Sequence, residues 1–219
     1  MLFLDQEKAF DRMSHTFILK TLRHFGFGEE IIDWINIIYK DCTARVKING
    51  FLTQMFSIER GVRQGCPLSN LLYVLCIEVL CLEIKTNEKI KGLNYMTKKH
   101  KDLSYADDLS ILTTSIESLN EIFGTLSKYQ NATNAKINID KTEALWIGTW
   151  RSNTIEPHGL KWTNTMVKCL GVFVGNNREE AEKQSYIEII EKIRNKIKYW
   201  KGKGRIRVCN IFIYQKYGM

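Results

Sequence analysis

Apolar residues recur along the chain at two different spacings, and each spacing predicts one kind of element. A spacing of three to four positions is typical of amphipathic helices, and it is found over residues 16–24, 29–40, 116–129 and 179–200. A further, longer helix is predicted to begin at Pro67. It is apolar on nearly all sides, as expected of a helix buried in a protein core.

Short apolar or alternating segments between the helices predict strands. Residues 103–112 predict a hairpin whose polar tip contains two adjacent aspartates. Asn49 and Gly50 form the strongest short signal for a two-residue hairpin turn. Helices and strands in this mixed order predict an α+β fold. The remaining predicted strands are residues 1–5, 45–49, 51–58, 137–148 and 168–174.

The composition is that of a globular protein with one unusual segment. The 219 residues are 44% hydrophobic and 26% charged, which excludes a wholly disordered chain. The net charge of +8 indicates a polyanionic partner, either nucleic acid or an anionic membrane surface. Eight basic residues and no acid lie in the segment from Lys192 to Arg207. The charge of this segment therefore equals the whole net positive charge of the chain.

Cysteine and histidine positions argue against a zinc site and against secretion. No cysteine or histidine cluster has the spacing of zinc ligands. The cysteines near or within apolar helical sequence are typical of a reducing compartment, which predicts an intracellular location in the cytoplasm, the nucleus or both. No secretory signal opens the chain, and the longest uncharged segment is too short and too polar to span a bilayer. We therefore expect no membrane partner.

Three aspartates follow apolar segments, where a solvated surface would not explain them. Asp5 ends the first predicted strand, and Asp107 and Asp108 occupy the predicted hairpin tip. Adjacent carboxylates repel each other, and a cation offsets that repulsion. Carboxylate oxygens from two separate elements are suitable ligands for Mg²⁺. The dipeptide alone is also a good turn sequence, so a purely structural role is the alternative.

Five segments resemble the palm motifs of reverse transcriptases, in the correct order along the chain. The sequences of the first and the fifth segment are most similar to the LINE-type, non-LTR retrotransposon branch. In chain order the segments are FLDQEKAFDR at residues 3–12, RQGCPLS at 63–69, YADD at 105–108, NIDKT at 138–142 and KCLGV at 168–172.

This resemblance implies an α+β polymerase palm of the right-hand reverse transcriptase fold over residues 1–176. Part of the fingers would lie at about residues 12–62, and residues 177–219 would begin a helical thumb that is cut short. The implied function is that of an RNA-directed DNA polymerase core, which adds deoxynucleotides to a primer 3′-hydroxyl by two-metal phosphoryl transfer. The implied partners are an RNA template, a DNA primer and deoxynucleoside triphosphates.

By the same resemblance, the catalytic carboxylates are Asp5, Asp107 and Asp108. Together with the backbone carbonyl of Gln6, they would hold two Mg²⁺ ions, with Mn²⁺ as a substitute. Two such ions about 3.5–4 Å apart can activate an attacking hydroxyl and stabilise a leaving pyrophosphate.

The resemblance also implies the substrate contacts. Phe10 matches the steric gate, since a ring under the sugar leaves no room for a ribose 2′-hydroxyl. Gln64 would lie against the incoming nucleotide, and Gly65 would allow the backbone to approach it closely. Lys141 would meet the nucleotide phosphates, or would be a solvated lysine in a turn. Tyr105 would pack near the primer end.

The basic segment would lie at the start of the thumb, along the template–primer backbone, where it would attract phosphates. A solvated helix flank is the alternative. The residues expected to contact nucleic acid are Lys192, Lys196, Lys201, Lys203 and Arg205.

The chain departs from the family pattern at Asn70, where the family usually has proline, and at Asn134, where it usually has glycine. Asparagine tolerates the left-handed conformation second best after glycine. Fingers residues that would grip the triphosphate are expected to be missing. A catalytically inactive retrotransposon fragment that at most binds nucleic acid is therefore the alternative function. A group II intron-type reverse transcriptase is a further alternative, which genomic context would decide.

Overall fold

The structure, a computed structural model, describes residues 1–202 of the chain. Two of the residues expected to contact nucleic acid, Lys203 and Arg205, lie outside the described residues. The chain divides into two compact units, of which the first is Met1–Asn164 and the second begins at Thr165. The predicted palm–thumb boundary after residue 176 stays a prediction.

Helices and strands follow one another in the mixed order that the sequence predicts. The helices are α1 (Ala9–Arg12), α2 (His15–His24), α3 (Glu29–Tyr39), α4 (Pro67–Thr86), α5 (Ile116–Thr133) and α6 (Arg178–Gly202). The strands are β1 (Leu2–Leu4), β2 (Thr43–Ala44), β3 (Lys47–Ile48), β4 (Phe51–Leu52), β5 (Phe56–Ser57), β6 (Leu93–Tyr95), β7 (Lys98–His100), β8 (Asp102–Tyr105), β9 (Asp108–Ile111), β10 (Glu143–Leu145), β11 (Lys161–Thr163), β12 (Met166–Cys169) and β13 (Val172–Gly175).

A five-stranded sheet in the order β11–β10–β1–β9–β8 organises the first unit. Strand β1 is central and pairs antiparallel with both β9 and β10, while β10 pairs parallel with β11. All three residues of β1 are buried. Because the central strand has neighbours on both sides, the residue that follows it lies at the end of the strands, in the middle of the sheet.

The core of the first unit joins this sheet to helices α2 to α5. Leu2, Leu4, Leu109 and Ile111 from the sheet belong to the same buried cluster as the inner side chains of these helices. Burying one such aliphatic side chain stabilises the fold by roughly 1.5–3 kcal/mol relative to leaving it exposed. The core therefore fixes the end of β1, which Asp5 follows, and the start of β9, whose first residue is Asp108.

Helix α4 begins at Pro67, as predicted, since proline suits the first helical position. The uncharged segment considered in the sequence analysis is too short to span a bilayer, but the whole of α4, which also contains charged residues, is long and apolar enough to cross a membrane by length and composition. The core helix of a globular protein has the same properties. Eight side chains of α4 are buried within the protein, which accounts for part of its apolar composition, whereas Leu71 and Val74 are 65% and 47% exposed, so the helix is less completely buried than the sequence predicts.

Helix α5 runs four residues further than the predicted end at residue 129. It is capped by Asn134 in the left-handed conformation, with φ 62°. The left-handed conformation that the sequence analysis associates with Asn134 is confirmed.

Three predicted strands differ from the structure. Residues 168–174 form a hairpin, because Leu170 and Gly171 both have positive φ, of 49° and 85°, and turn the chain back. Of residues 137–148, only β10 is a strand, since Thr142 donates backbone and side-chain hydrogen bonds to the Asn138 carbonyl and closes a turn. The predicted strand 51–58 is interrupted.

The segment between α3 and α4 forms two short antiparallel pairs, β2 with β5 and β3 with β4. The turn at Asn49 and Gly50 is confirmed, with φ of 49° and 91°. The sequence analysis missed the hairpin β6–β7 and the edge strand β11, whose residues lack a clear alternation.

In the part that the structure describes, the second unit contains the hairpin β12–β13 and helix α6. Ala181 and Ser185 on α6 are buried, and the Ser185 hydroxyl accepts a hydrogen bond of 2.8 Å from the Phe173 backbone N–H. Lys168 on β12 forms an ion pair with Glu188 on α6. These contacts attach the first half of the helix to the hairpin.

Candidate active site

The strand register brings two of the predicted carboxylates together. In the antiparallel pair β1–β9, Leu4 lies opposite Leu109. Asp5 directly follows Leu4 and Asp108 directly precedes Leu109, so the register brings these two acids to neighbouring positions. Two acids that are distant in sequence therefore meet where β1 ends and β9 begins.

The third carboxylate lies in the turn of the hairpin β8–β9. Tyr105 pairs with Asp108, which leaves Ala106 and Asp107 as the two turn residues. Ala106 has φ 54°, a left-handed conformation that costs roughly 1–2 kcal/mol for a residue other than glycine. Asp107 and Asp108 are both exposed. The strained turn presents these acids at the tip of a hairpin anchored in the central sheet.

Electrostatics indicate that the three acids share one site. The pKa of Asp108 is raised above its ordinary value, first by burial and then by the negative charges of Asp107 and Asp5. Within residues 1–202, no group of three or more acid, histidine or cysteine side chains forms a preformed cation site. Mg²⁺ usually takes one or two carboxylates and completes its shell with water and substrate phosphates, and the observed acids are compatible with that need.

Gln6 is held beside these acids by the turn that precedes β10. It forms an antiparallel bridge with Ile137, and the Asp5 carbonyl accepts a hydrogen bond of 2.8 Å from the Asn138 backbone N–H. The Asp5 N–H donates to the Thr142 hydroxyl at 3.3 Å. The backbone around Asp5 and Gln6 is therefore attached on its second side to the fourth motif.

The side chain of Gln6 is unusual among the described residues. Its amide nitrogen and oxygen are buried without a hydrogen-bond partner, and so is the hydroxyl of Tyr73 on α4. Burial raises the pKa of Tyr73 strongly, the charge of Asp107 adds to this, and the facing Gln6 amide opposes it. The amide and the hydroxyl thus lie near each other without the alignment of a hydrogen bond.

Phe10, the predicted steric gate, lies on the short helix α1 and is half-buried. Its ring stacks on that of Tyr73, with the centroids 4.6 Å apart and the planes at 22°. Its backbone carbonyl accepts a hydrogen bond of 2.7 Å from the Val62 N–H, in the loop that leads to the second motif. Phe10 is therefore placed between the first motif, the second-motif loop and helix α4.

The second-motif residues Gln64 and Gly65 are both exposed just before α4. Gly65 has φ 82°, which favours glycine. The Gln64 amide donates a long hydrogen bond of 3.5 Å to a carboxylate oxygen of Asp11. Asp11 thereby connects α1 to this loop.

Lys141 is exposed in the turn that binds the backbone of Asp5 through Asn138 and Thr142. Its own backbone N–H donates to the Asn138 side chain at 3.3 Å. Among the ion pairs of the described residues, none involves the Lys141 ammonium group. Both alternatives for this residue, a phosphate contact and a solvated turn lysine, are compatible with its position, so its role stays a prediction.

The predicted primer and nucleic-acid contacts lie on exposed surfaces. Tyr105 is 69% exposed at the hairpin tip. Lys192, Lys196 and Lys201 are exposed on α6, and Lys192 pairs with Glu188 at 3.2 Å. The apolar residues on this part of α6, such as Ile193 and Trp200, are 38% and 41% exposed and add no core there.

The sequence analysis missed Tyr73, which joins Phe10 to Gln6. A signal was present, because Tyr73 is the one hydroxyl-bearing aromatic residue within the apolar sequence of the helix that begins at Pro67. A buried tyrosine hydroxyl usually has a polar neighbour, so this residue indicates a polar group facing the helix.

Comparisons with known proteins show the family of this chain. The family described as reverse transcriptase (RNA-dependent DNA polymerase) matches residues 1–174. A 149 kDa protein of transposon TX1 from Xenopus laevis is 33% identical over 94% of this chain. A Pol polyprotein of the retrotransposable element R2DM from Drosophila melanogaster is 29% identical over 63% of it. The chain spans only 16% and 13% of the length of these two relatives.

Solved structures of telomerases share the fold. Those from Candida albicans and Candida tropicalis match with TM-scores of 0.55 and 0.57, at 16% and 14% identity. Each match covers 80% of this chain and 30% and 28% of the respective telomerase chain. At this identity the likeness shows the fold alone, and it confirms the right-hand polymerase fold. The transposable-element relatives confirm the LINE-type, non-LTR branch, and by the family match the chain belongs to the reverse transcriptase family of RNA-directed DNA polymerases.

Proposed function

We propose that this chain adds deoxynucleotides to the 3′-hydroxyl of a DNA primer, directed by an RNA template. The observation that supports the proposal most is the register of β1 and β9. It brings the end of β1, which Asp5 follows, beside the start of β9 at Asp108, and Asp107 lies in the adjoining turn. Membership in the reverse transcriptase family makes a polymerase core the expected activity, and the carboxylates give it a chemical basis.

In this proposal Asp5, Asp107 and Asp108, with the carbonyl of Gln6, would hold two Mg²⁺ ions, and Mn²⁺ could replace them. The repulsion that raises the pKa of Asp108 supports this, because a cation would relieve it. When bound, such ions supply activation of the primer hydroxyl and stabilisation of the leaving pyrophosphate. The contribution of the chain is to keep the carboxylates in place before substrate arrives.

The other site residues would orient the nucleotide and the primer. Phe10 would lie under the sugar and exclude a 2′-hydroxyl. Gln64 and Gly65 would form the surface against which the nucleotide rests. Lys141 would neutralise part of the phosphate charge, and Tyr105 would pack near the primer end. All five residues belong to the motifs that surround the carboxylates along the chain.

Nucleic acid would be bound through the basic part of α6, at Lys192, Lys196 and Lys201, continued in the sequence by Lys203 and Arg205. Backbone phosphates would release counterions on binding, so affinity would fall with rising salt. We also propose an intracellular location, in the cytoplasm or the nucleus. The free thiols of the described residues, among them the buried Cys76 and Cys81, support this, because unpaired cysteines are typical of a reducing compartment.

The proposal is tested by primer extension with the 219-residue chain on an RNA template. We expect Asp107→Asn to lower the extension rate by about 100-fold or more, the scale of losing a preorganised electrostatic group. Asp33→Asn on the exposed side of α3 removes the same charge away from the motifs and is the matched control. An equal rate for Asp107→Asn and wild type would sink the proposal.

The same measurement distinguishes an active polymerase core from the alternative, an inactive fragment. If the wild-type chain binds a template–primer duplex but does not extend it with Mg²⁺ and deoxynucleotides, the polymerase proposal is wrong for this chain. A fragment that only binds nucleic acid is then the better description.

A further inference from the structure

Tyr73 occupies a position that core packing alone does not account for. It is fully buried near the start of α4, and the other buried side chains of this helix are aliphatic, cysteine or serine. Its hydroxyl has no hydrogen-bond partner among the described residues. Leaving a hydroxyl buried and unpaired is unfavourable. The Tyr73 ring contacts Phe10, and its hydroxyl faces Gln6.

The contact with Phe10 is the closer of the two. The rings stack at 4.6 Å with planes 22° apart, an arrangement that aromatic pairs favour over looser contacts. It is the one ring–ring contact of Phe10 in the described part of the chain. The Tyr73 ring therefore supports one face of Phe10 from inside the core.

Phe10 needs such support, because its own helix is short. Helix α1 has four residues, and its N-cap, Lys8, has φ 51° and makes no capping hydrogen bond through its side chain. A single helical turn has little stability of its own. The orientation of the Phe10 ring must therefore come from tertiary contacts, of which the stack on Tyr73 is the most directional.

We propose that Tyr73 is a positioning residue that holds Phe10 in place and thereby determines discrimination between deoxynucleotides and ribonucleotides. The inference rests on the proposed function, in which Phe10 lies under the sugar. Removing the Tyr73 ring leaves a void under Phe10 that its surroundings fill only in part. The Phe10 ring can then tilt into the void and make room for a 2′-hydroxyl.

The expected effect differs from a general loss of stability. A weakened fold lowers the efficiency with both kinds of nucleotide by the same factor. A displaced Phe10 makes kcat/KM for deoxynucleotides fall relative to kcat/KM for ribonucleotides. The decisive quantity is therefore the ratio of kcat/KM for dCTP to kcat/KM for CTP.

The experiment measures this ratio for the 219-residue chain on an RNA template with a DNA primer. We expect Tyr73→Leu to lower it by about 10-fold, the low end of what one steric contact contributes to substrate discrimination. Tyr73→Phe keeps the ring and should keep the ratio within about twofold, because an aromatic face is what supports Phe10. If Tyr73→Leu fails to fold, Tyr73→Met takes its place, because it also removes the ring and its flexible side chain adapts to an irregular space.

Tyr129→Leu is the matched control. Tyr129 on α5 is also a buried tyrosine, and its hydroxyl donates to the Cys76 carbonyl of the same helix α4 at 3.3 Å. Its ring contacts Phe17, edge to face, with the centroids 5.9 Å apart. The substitution disturbs the core to a similar degree, so it should lower stability while the ratio stays at the wild-type value.

Phe10→Ala separates a failure of this inference from a failure of the proposed function. If Phe10→Ala leaves the ratio unchanged, or if the wild-type chain extends with neither nucleotide, the proposed role of Phe10 is wrong and the inference is wrong with it. If Phe10→Ala lowers the ratio and Tyr73→Leu does not, only the inference is overturned. In the double variant we expect the ratio of Phe10→Ala alone, and multiplied losses would contradict a role through Phe10.

Discussion

The hairpins β3–β4 and β8–β9 both close through two residues, yet they are maintained by different forces. In the first, Asn49 and Gly50 suit the positive φ that such a turn requires. Its strand residues Phe51 and Leu52 are 80% and 59% exposed. Turn chemistry therefore has to specify this hairpin, since little core packing is present to do so.

In the second hairpin the core specifies the geometry. Leu109, Ser110 and Ile111 of β9 are buried, and β9 pairs with the central strand β1. The turn can therefore contain a strained alanine and an aspartate, Asp107, that repels Asp108 at the start of β9. The comparison shows that an active site can occupy an unfavourable turn where the sheet beneath it is stable enough to hold it.

The largest effect should come from weakening the core under the second hairpin. Leu109→Ala removes a side chain that is 2% exposed and should lower the free energy of unfolding by about 2–5 kcal/mol. Leu52→Ala removes the same atoms from the exposed hairpin and should change the free energy of unfolding by less than about 0.5 kcal/mol. Urea unfolding of both variants gives the comparison. Equal losses would mean that the two hairpins depend on the core to the same extent.

A smaller effect should come from the turns themselves. Ala106 and Asn49 occupy equivalent first turn positions, with φ of 54° and 49°. Glycine relieves the strain of an alanine there but gains little over asparagine, which tolerates this conformation. We expect Ala106→Gly to be more stable than Asn49→Gly by about 0.5–1 kcal/mol, each relative to wild type. Thermal and urea unfolding measure this difference, and a loss of stability in Ala106→Gly would argue against strain at the active-site turn.

The smallest effect should be electrostatic. The pKa of Asp108 lies above its ordinary value of 3.8 in the folded chain, so the fold binds this proton more tightly than the unfolded chain does. Stability from this group is present below pH 3.8 and is lost as the pH rises through the folded pKa. Without divalent ions, Asp108→Asn should therefore be more stable than wild type at pH 7, by less than ~1 kcal/mol because solvent screens an exposed carboxylate.

This gain should vanish at low pH, where Asp108 is protonated in both states. Unfolding measured in EDTA across the acid range provides the check. Glu7 is the control of opposite sign, because Arg12 and Lys136 lower its pKa, so Glu7→Gln should lose stability at neutral pH. A variant Asp108→Asn that is less stable than wild type at pH 7 would contradict the repulsion among the three acids.

Much of the local structure could be predicted from the sequence. The start of α4 at Pro67, the turn at Asn49 and the left-handed Asn134 depend on the chemistry of one or two residues, and all three are confirmed. The strands were harder to predict. Residues 168–174 look like one continuous strand, because the positive φ of Leu170 cannot be read from a residue type that rarely adopts it.

The sequence by itself determined the family, the order of the five motifs and the placement of an aspartate pair at a hairpin tip, because these depend on residues that are neighbours along the chain. Tertiary structure alone decided that Asp5 lies near Asp108, that the turn before β10 holds the backbone of Asp5, and that the Tyr73 ring stacks on Phe10. Each of these contacts joins residues more than 60 positions apart. Such contacts leave no local pattern, since they arise from the way the central strand, the helices and their side chains fill one common core.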